Sequence, residues 1–288
     1  MIIIDGQLVS FESTDKLGLN GFLMKSKTNN KTLIIHIHGM GGNFYWNTFI
    51  QPITKTLKGS KYDLFTINTR GNGYITKFYQ GKNKRYIGVA HENIEESIFD
   101  VQGAINFAKK LGYTKFILSG HSTGCQKMIY YQSKKQNKNV KAVLLLAPGD
   151  DYSIDKKEKG KTFTKAVNFA KKQVQTGKGD EILPAWISKY SAKRYLGFAD
   201  PKNTESQLLN YNGDLKQFSK IKTPILAVFG KNDEYLETTA EDAFEKLRLK
   251  TNSEFLETII IKNTNHGFKK KENELAKTIL NFLQLLDA

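Results

Sequence analysis

Four short runs of apolar, largely β-branched residues, at 33–37, 64–68, 116–119 and 142–146, are separated by stretches of helical periodicity. Strands buried on both faces read as continuous apolar runs, and parallel neighbours need a long crossover, usually a helix, to join them. The pattern predicts βαβ units on a mostly parallel sheet, and the fold class is α/β.

The remaining segments fit that frame. Residues 2–11 and 19–25 predict an opening antiparallel pair split by a polar turn at 13–18, and helices are expected near 47–57, 93–111 and 124–137. In the second of these, Ile94, Ile98, Val101, Ile105 and Ala108 recur every three or four residues and give one apolar face, with Gly112 as the C-terminal stop. From 148 to 215 the strand pattern disappears. Phe163, Val167, Ala170 and Val174 form one narrow stripe there, followed by a cluster of Trp186, Ile187, Tyr190, Tyr195, Leu196 and Phe198. A strand at 225–229, a helix near 238–249, a strand at 256–261 and a closing helix at 271–286 complete the chain. The expected organisation is one domain, with core residues 1–147 and 216–288 and a cap, 148–215, inserted after the sixth strand.

Composition narrows the functional classes. With 39% apolar and 25% charged residues in 288, the chain is neither disordered nor fibrous. Its apolar runs are strand-sized, far short of the roughly 20 residues that span a bilayer, so no membrane span is expected. The start MIIIDGQ lacks a basic region and carries an acid at position 5, unlike a secretory signal, which predicts a cytoplasmic protein. Cys125 is the only cysteine, which excludes an intrachain disulfide and a cysteine-based zinc cluster. The net charge of +16 invites an anionic partner, yet it comes from 40 Lys and 4 Arg. Nucleic-acid readers lean on Arg, so no nucleic-acid partner is expected.

Gly120-His121-Ser122-Thr123-Gly124 follows an apolar strand and precedes a helical segment, the setting of a nucleophile elbow. Glycines flank such a serine because its backbone is strained on a tight turn where strand and helix pass close together. A serine hydroxyl needs a histidine base, and the base needs a carboxylate to fix its tautomer. His266, in the polar loop Asn263-Thr264-Asn265-His266-Gly267-Phe268, is the one histidine of five that follows Ser122. For the acid, Asp233 in Gly230-Lys231-Asn232-Asp233-Glu234 stands at the end of a strand, with Glu234, Asp150 and Asp151 as alternatives.

The tetrahedral intermediate requires two N–H donors. Thr123 supplies one, and His38-Gly39-Met40-Gly41-Gly42 the other, from Met40 or, failing that, Gly41. This glycine-rich run lacks both the G-K-[ST] ending of a nucleoside-triphosphate loop and the G-x-G-x-x-G spacing of a dinucleotide site. No nucleotide cofactor is expected. His36 and His38 share one face of a buried strand without a carboxylate nearby, so they read as structural and no metal is assigned. Cys125 reads as a small buried helix residue.

In family order, HGMGG after the third strand, Asn68-Thr69-Arg70-Gly71-Asn72-Gly73 after the fourth, GHSTG, Gly230 to Asp233 and Asn265-His266-Gly267 resemble the α/β-hydrolase superfamily along nearly the whole chain. The segment His121-Ser122-Thr123-Gly124-Cys125-Gln126 also resembles a subgroup that includes esterases proposed to open ester-linked siderophores. The resemblance implies a triad of Ser122, Asp233 and His266 beneath a cap, acting on esters or thioesters without a cofactor. Thr123 departs from the Met, Leu, Gln or Gly common among relatives, which alters the pocket beside the nucleophile and leaves its N–H available.

The substrate expected is a small-molecule ester. Residues 1–147 carry 20 basic and 8 acidic side chains, and part of this surplus lies in the run from Lys77 to Arg85, expected as a long loop on the elbow's edge. That loop would draw an anionic substrate, although charge runs are mostly solvated surface. Trp186 and Tyr190, with Gly41, are the candidate substrate contacts, or the aromatics pack the cap onto the core. An acyltransferase, a carbon–carbon bond hydrolase or a non-catalytic binding protein are the alternatives on the same fold.

Overall fold

In the computed structural model, which describes residues 5–26 and 31–287, each apolar run becomes a strand of one sheet. The chain begins with an antiparallel pair, β1 (Gln7–Glu12) and β2 (Gly18–Met24), then β3 (Thr32–Ile37), α1 (Ile50–Leu57) and β4 (Tyr62–Ile67). A hairpin of β5 (Lys77–Gln80) and β6 (Asn83–Tyr86) precedes α2 (Ser97–Lys110), β7 (Lys115–His121), α3 (Thr123–Lys135) and β8 (Val140–Leu146). Four helices follow, α4 (Asp151–Lys159), α5 (Phe163–Gln175), α6 (Ala192–Ala199) and α7 (Thr204–Leu208). The closing elements are β9 (Ile225–Gly230), α8 (Ala240–Lys250), β10 (Leu256–Ile261) and α9 (Glu272–Leu285).

The sheet runs β1-β2-β4-β3-β7-β8-β9-β10 and is parallel from β4 onward. Alternation along each strand sends side chains to two cores. Leu33, Ile35 and Ile37 of β3 join Val101 and Ile105 of α2, Met128 of α3 and Phe244 of α8. Ile34 faces the other way, with Ile53 of α1 and with Ile279 and Phe282 of α9. This two-sided burial explains why the central strands lack a polar period.

Strand order sets the place for chemistry. From β3 the chain moves outward to β4 and then returns to β7 on the opposite side of β3. The loops leaving β3 and β7 therefore part at a crevice beyond the strands' C-terminal ends, where open α/β sheets bind ligands.

Several boundaries move for local reasons. Residues 2–4 of the expected first strand lie outside the described residues. The first helix starts at Ile50 rather than 47, its first amide bonded to the Asn47 carbonyl in a turn. The expected helix at 93–111 opens as a 3₁₀ turn at Ile94–Glu96 capped by the Asn93 side chain, and Gly112 follows its end at φ 93°. The basic run at 77–85 is not a loop but the β5–β6 hairpin. It docks on the β1–β2 turn through a Leu17–Gln80 bridge, separated from β7 by β4 and β3 in strand order. Within 148–215, Phe163, Val167 and Ala170 are buried with Leu183, Ile187, Tyr195, Leu196 and Phe198 in a cluster of their own. Val174, read as part of that stripe, is 37% exposed at the helix end. Among the described residues no helix is long and apolar enough to cross a membrane.

Candidate active site

Ser122 is the single residue between β7 and α3, with φ 56° and ψ −127°, a conformation that L-residues rarely adopt and that costs of order 1–3 kcal/mol. The glycines around it are required by space. A Cβ on Gly120 would fall 2.3 Å from the Gly124 carbonyl, and one on Gly124 would fall 2.5 Å from the Ile37 oxygen. The Ser122 N–H is tied to the Leu146 carbonyl at 3.0 Å, which locks the turn to β8.

The loops after β9 and β10 bring Asp233 to His266. The ring Nδ1 lies 2.8 and 3.0 Å from the two carboxylate oxygens. A carboxylate oxygen accepts in this contact, so Nδ1 carries the proton there and Nε2 is the ring nitrogen left free of it. Both side chains are nearly buried. The Asp233 carboxylate also accepts the Tyr235 N–H at 2.9 Å, while Glu234 accepts the His266 backbone N–H at 3.0 Å. The His266 ring lies against Tyr235 and His121, with centroids at 4.6 and 4.9 Å. His121 donates through Nε2 to the His266 carbonyl at 3.0 Å, and burial pushes its pKa down to about 3, so it adds no charge beside the base.

The other acids weighed from the sequence do different work. Asp150 caps α4, accepting the Ser153 and Tyr211 N–H groups. Asp151 accepts from Gln126 Nε2 at 2.9 Å and from Thr123 Oγ1 at 3.3 Å. Among the described residues the Ser122 hydroxyl itself has no hydrogen-bond partner.

The loop after β3 lies directly beside Ser122, since a Cβ on Gly39 would sit 2.9 Å from Ser122 Cβ. His38 sets its orientation. Its Nε2 accepts the Thr69 N–H at 3.2 Å, so Nδ1 carries the proton and donates to the Gly39 carbonyl at 2.7 Å. The Gly39 C=O and the Met40 N–H belong to one planar trans peptide and point opposite ways, so holding the carbonyl also aims the N–H. Among the described residues neither the Met40 nor the Thr123 N–H has an acceptor, Thr123 being the first residue of a helix. Gly41, the fallback donor, sits at φ 65° and bridges to Asn72.

Of the expected substrate contacts, Tyr190 reaches the loop after β3, its hydroxyl 3.1 Å from Met40 Sδ. Trp186 is not drawn in: it is 51% exposed and rests on Phe169 with Lys165 above it. Sequence reading missed Lys127, whose ammonium is buried between Glu92 at 2.5 Å and Thr69 Oγ1 at 3.1 Å. It ties α3 to the residue that holds His38. Its position five residues past the serine was the available signal, but a lysine in a Lys-rich chain does not announce burial. Arg70 of the fourth-strand motif is structural, with Nε and Nη2 clamping Asp100 at 2.8–3.2 Å and further bonds to Asp15 and Glu96. The Cys125 thiol is buried against the Gly120 and Leu146 carbonyls, and burial raises its pKa well above the usual value, so it is no nucleophile. Among the described residues no cluster of three or more His, Cys, Asp or Glu is placed to hold a metal ion.

Solved structures with this architecture include the siderophore hydrolase EstB of Aspergillus fumigatus, 18% identical, with a TM-score of 0.73 over 99% of this chain and 98% of that one. Est1E of Butyrivibrio proteoclasticus, solved with ferulic acid, is 16% identical at a TM-score of 0.68 over 96% and 99%. The carboxylesterase CesB of Bacillus subtilis is 15% identical at 0.58 over 97% and 92%. These likenesses establish the α/β-hydrolase fold. A UPF0613 protein of Schizosaccharomyces pombe is 22% identical over 96% of this chain and 92% of its own length. Residues 5–284 match the family described as a protein of unknown function, DUF1749, and the chain belongs to that family, built on the α/β-hydrolase fold.

Proposed function

We propose that the protein is a serine hydrolase that cleaves a small carboxylic ester or thioester through an acyl-enzyme. The observation that carries this reading is the 2.8 Å bond from His266 Nδ1 to Asp233, with the His266 ring packed against His121, the residue before a serine at φ 56°. A histidine with its tautomer fixed by a buried acid and a serine on a strained turn are the parts that acyl transfer uses.

In this scheme His266 Nε2 takes the Ser122 proton as Oγ attacks the acyl carbon. The Met40 and Thr123 N–H groups receive the oxyanion, and Nε2–H protonates the departing alcohol or thiol. Water, activated by the same nitrogen, releases the acid. No cofactor or metal takes part. Residues 148–215 act as a cap over the crevice, with Tyr190 against the oxyanion loop. The name of the EstB neighbour and the sequence likeness at 121–126 place ester-linked siderophores beside simple esters among the substrates to assay.

The test is labelling by a fluorophosphonate probe, wild type beside Ser122→Ala, followed by hydrolysis of p-nitrophenyl esters of increasing acyl length. Labelling that vanishes in the variant supports the reading, and an unlabelled, folded wild type refutes it. Adding alcohols to the reaction separates hydrolysis from acyl transfer by its products.

A further inference from the structure

Arg194 on α6 is 2% exposed, and its Nη1 donates to Glu205, itself buried. Its Nε and Nη2 are buried and donate to nothing among the described residues. These two nitrogens form one edge of the guanidinium, a fork that matches a carboxylate. Arg70 shows in the same molecule what that edge takes when filled, since its Nε and Nη2 clamp Asp100. A buried donor without a partner is costly, and a guanidinium cannot shed its charge to escape the cost. An empty fork of this kind holds either ordered water or a ligand.

Its location favours a ligand. The guanidinium carbon lies 5.1 Å from the Phe198 ring and 5.9 Å from the Tyr190 ring, and Tyr190 touches Met40. Beyond Glu205, the buried carboxylates of Glu92 and Asp151 act on its charge, and Asp151 is bonded to Thr123 and Gln126. Burial pushes the Asp151 carboxyl up, and Arg194 is the foremost group opposing that rise. The Arg194 side chain thus neighbours Tyr190, which touches Met40, and feels the charge of Asp151, which touches Thr123. Burial also raises the Glu205 carboxyl, against the pull of Arg194.

We propose that the Nε/Nη2 edge of Arg194 binds a carboxylate carried by the ester substrate, so that the enzyme prefers esters bearing a free acid to their uncharged counterparts. This rests on the ester-hydrolase reading above.

Two matched pairs of esters test it. Monoethyl glutarate against ethyl pentanoate places the acid on the acyl side, and 4-acetoxybutanoate against butyl acetate places it on the alcohol side. The wild type is expected to favour the acid in one pair by about tenfold or more in kcat/KM, the value of a charge-assisted bidentate bond. Arg194→Lys keeps the charge but loses the fork, and that ratio should drop. Arg194→Met alone strands Glu205, so Arg194→Met with Glu205→Leu replaces the buried pair by apolar groups, and the ratio should fall to about one. No acid preference in either pair, or a preference that survives the double replacement, overturns the proposal and leaves the fork to water. If the double variant does not fold, calorimetric titration of Ser122→Ala with both pairs decides: equal affinity within each pair overturns the proposal. Labelling of Ser122 by fluorophosphonate without an acid preference sinks the Arg194 site alone. Absence of labelling sinks the hydrolase reading, while the titration still reports on the fork.

Discussion

Gly39→Ala probes the contact between the loop after β3, the proposed oxyanion loop, and Ser122, the proposed nucleophile. The added Cβ would stand 2.9 Å from Ser122 Cβ and 3.3 Å from the His121 carbonyl oxygen. Carbon atoms in comfortable contact sit about 3.5–4.0 Å apart, so about 0.6–1.1 Å must be opened. Gly39 is not in the left-handed region, so the added strain is steric. Neither neighbour is the loose end of a side chain, since one is the first carbon of a residue already strained and the other is backbone. The 38–42 loop must therefore give way, and with it the Met40 N–H. A misplacement of about 1 Å in a catalytic geometry costs roughly 10²-fold, and losing an oxyanion donor costs about 10²–10³-fold. The fold should survive, because overpacking of this size costs about 1–3 kcal/mol. The expected result is kcat on a p-nitrophenyl ester about 10² lower with KM changed by a few-fold at most, since the donor acts mainly on the transition state. Fluorophosphonate labelling should slow in parallel. Gly59→Ala, whose Cβ meets nothing within 4 Å, is the neutral control. A folded Gly39→Ala with kcat within threefold of wild type would refute the assignment of the oxyanion loop.

Asp233→Asn should lower kcat by about 10⁴, because the amide no longer fixes the histidine tautomer; Glu234→Gln, which touches only the His266 backbone N–H, should lose far less, and equal losses in the two rate assays would unseat Asp233. Ser122→Gly should abolish activity yet stabilise the fold by about 1 kcal/mol, because glycine occupies φ 56° freely; calorimetry should show Tm raised by about 2 °C, and an unchanged or lower Tm would mean the turn is unstrained. Buried His36 is held neutral, its pKa pushed down by burial, with the neighbouring His38 adding to the effect, to about 3. The unfolded chain takes up that proton near pH 6.5, so the stability contributed by neutral His36 is present above pH 6.5 and is lost as pH falls toward 3. At pH 4.5 the loss is about 2.5 kcal/mol, and urea midpoints at pH 7 and 4.5 should differ less in His36→Gln than in wild type; an identical pH dependence would contradict the buried neutral ring.

The order of motifs along the chain was legible because the chemistry ties residue type to backbone position. Gly120, Ser122 and Gly124 stand where a strand turns into a helix, and the turn admits no other spacing of glycines. His266 was legible by elimination, as the one histidine beyond the serine. The acid was less so, because Asp233, Glu234, Asp150 and Asp151 all follow strands. Tertiary packing separated them, handing Asp233 the imidazole, Glu234 the His266 amide, Asp150 the cap of α4, and Asp151 the Thr123 and Gln126 side chains. The run from Lys77 to Arg85 has no turn chemistry more decisive than Gly81, at φ 60°. It reads as a loop until Leu17 offers a bridge to Gln80.

The sequence by itself determined the α/β class, the order of the central strands and the strained turn at Ser122, because apolar periodicity and the glycines of such a turn are local properties that each segment carries alone. Only the tertiary structure decided which carboxylate meets His266, that His38 holds the peptide of the Met40 N–H, that Lys127 is buried, and that the Nε and Nη2 of buried Arg194 are left without a partner. Those outcomes depend on side chains far apart in the chain arriving in one low-dielectric place, where a missing or supplied partner costs or contributes far more than it does in water.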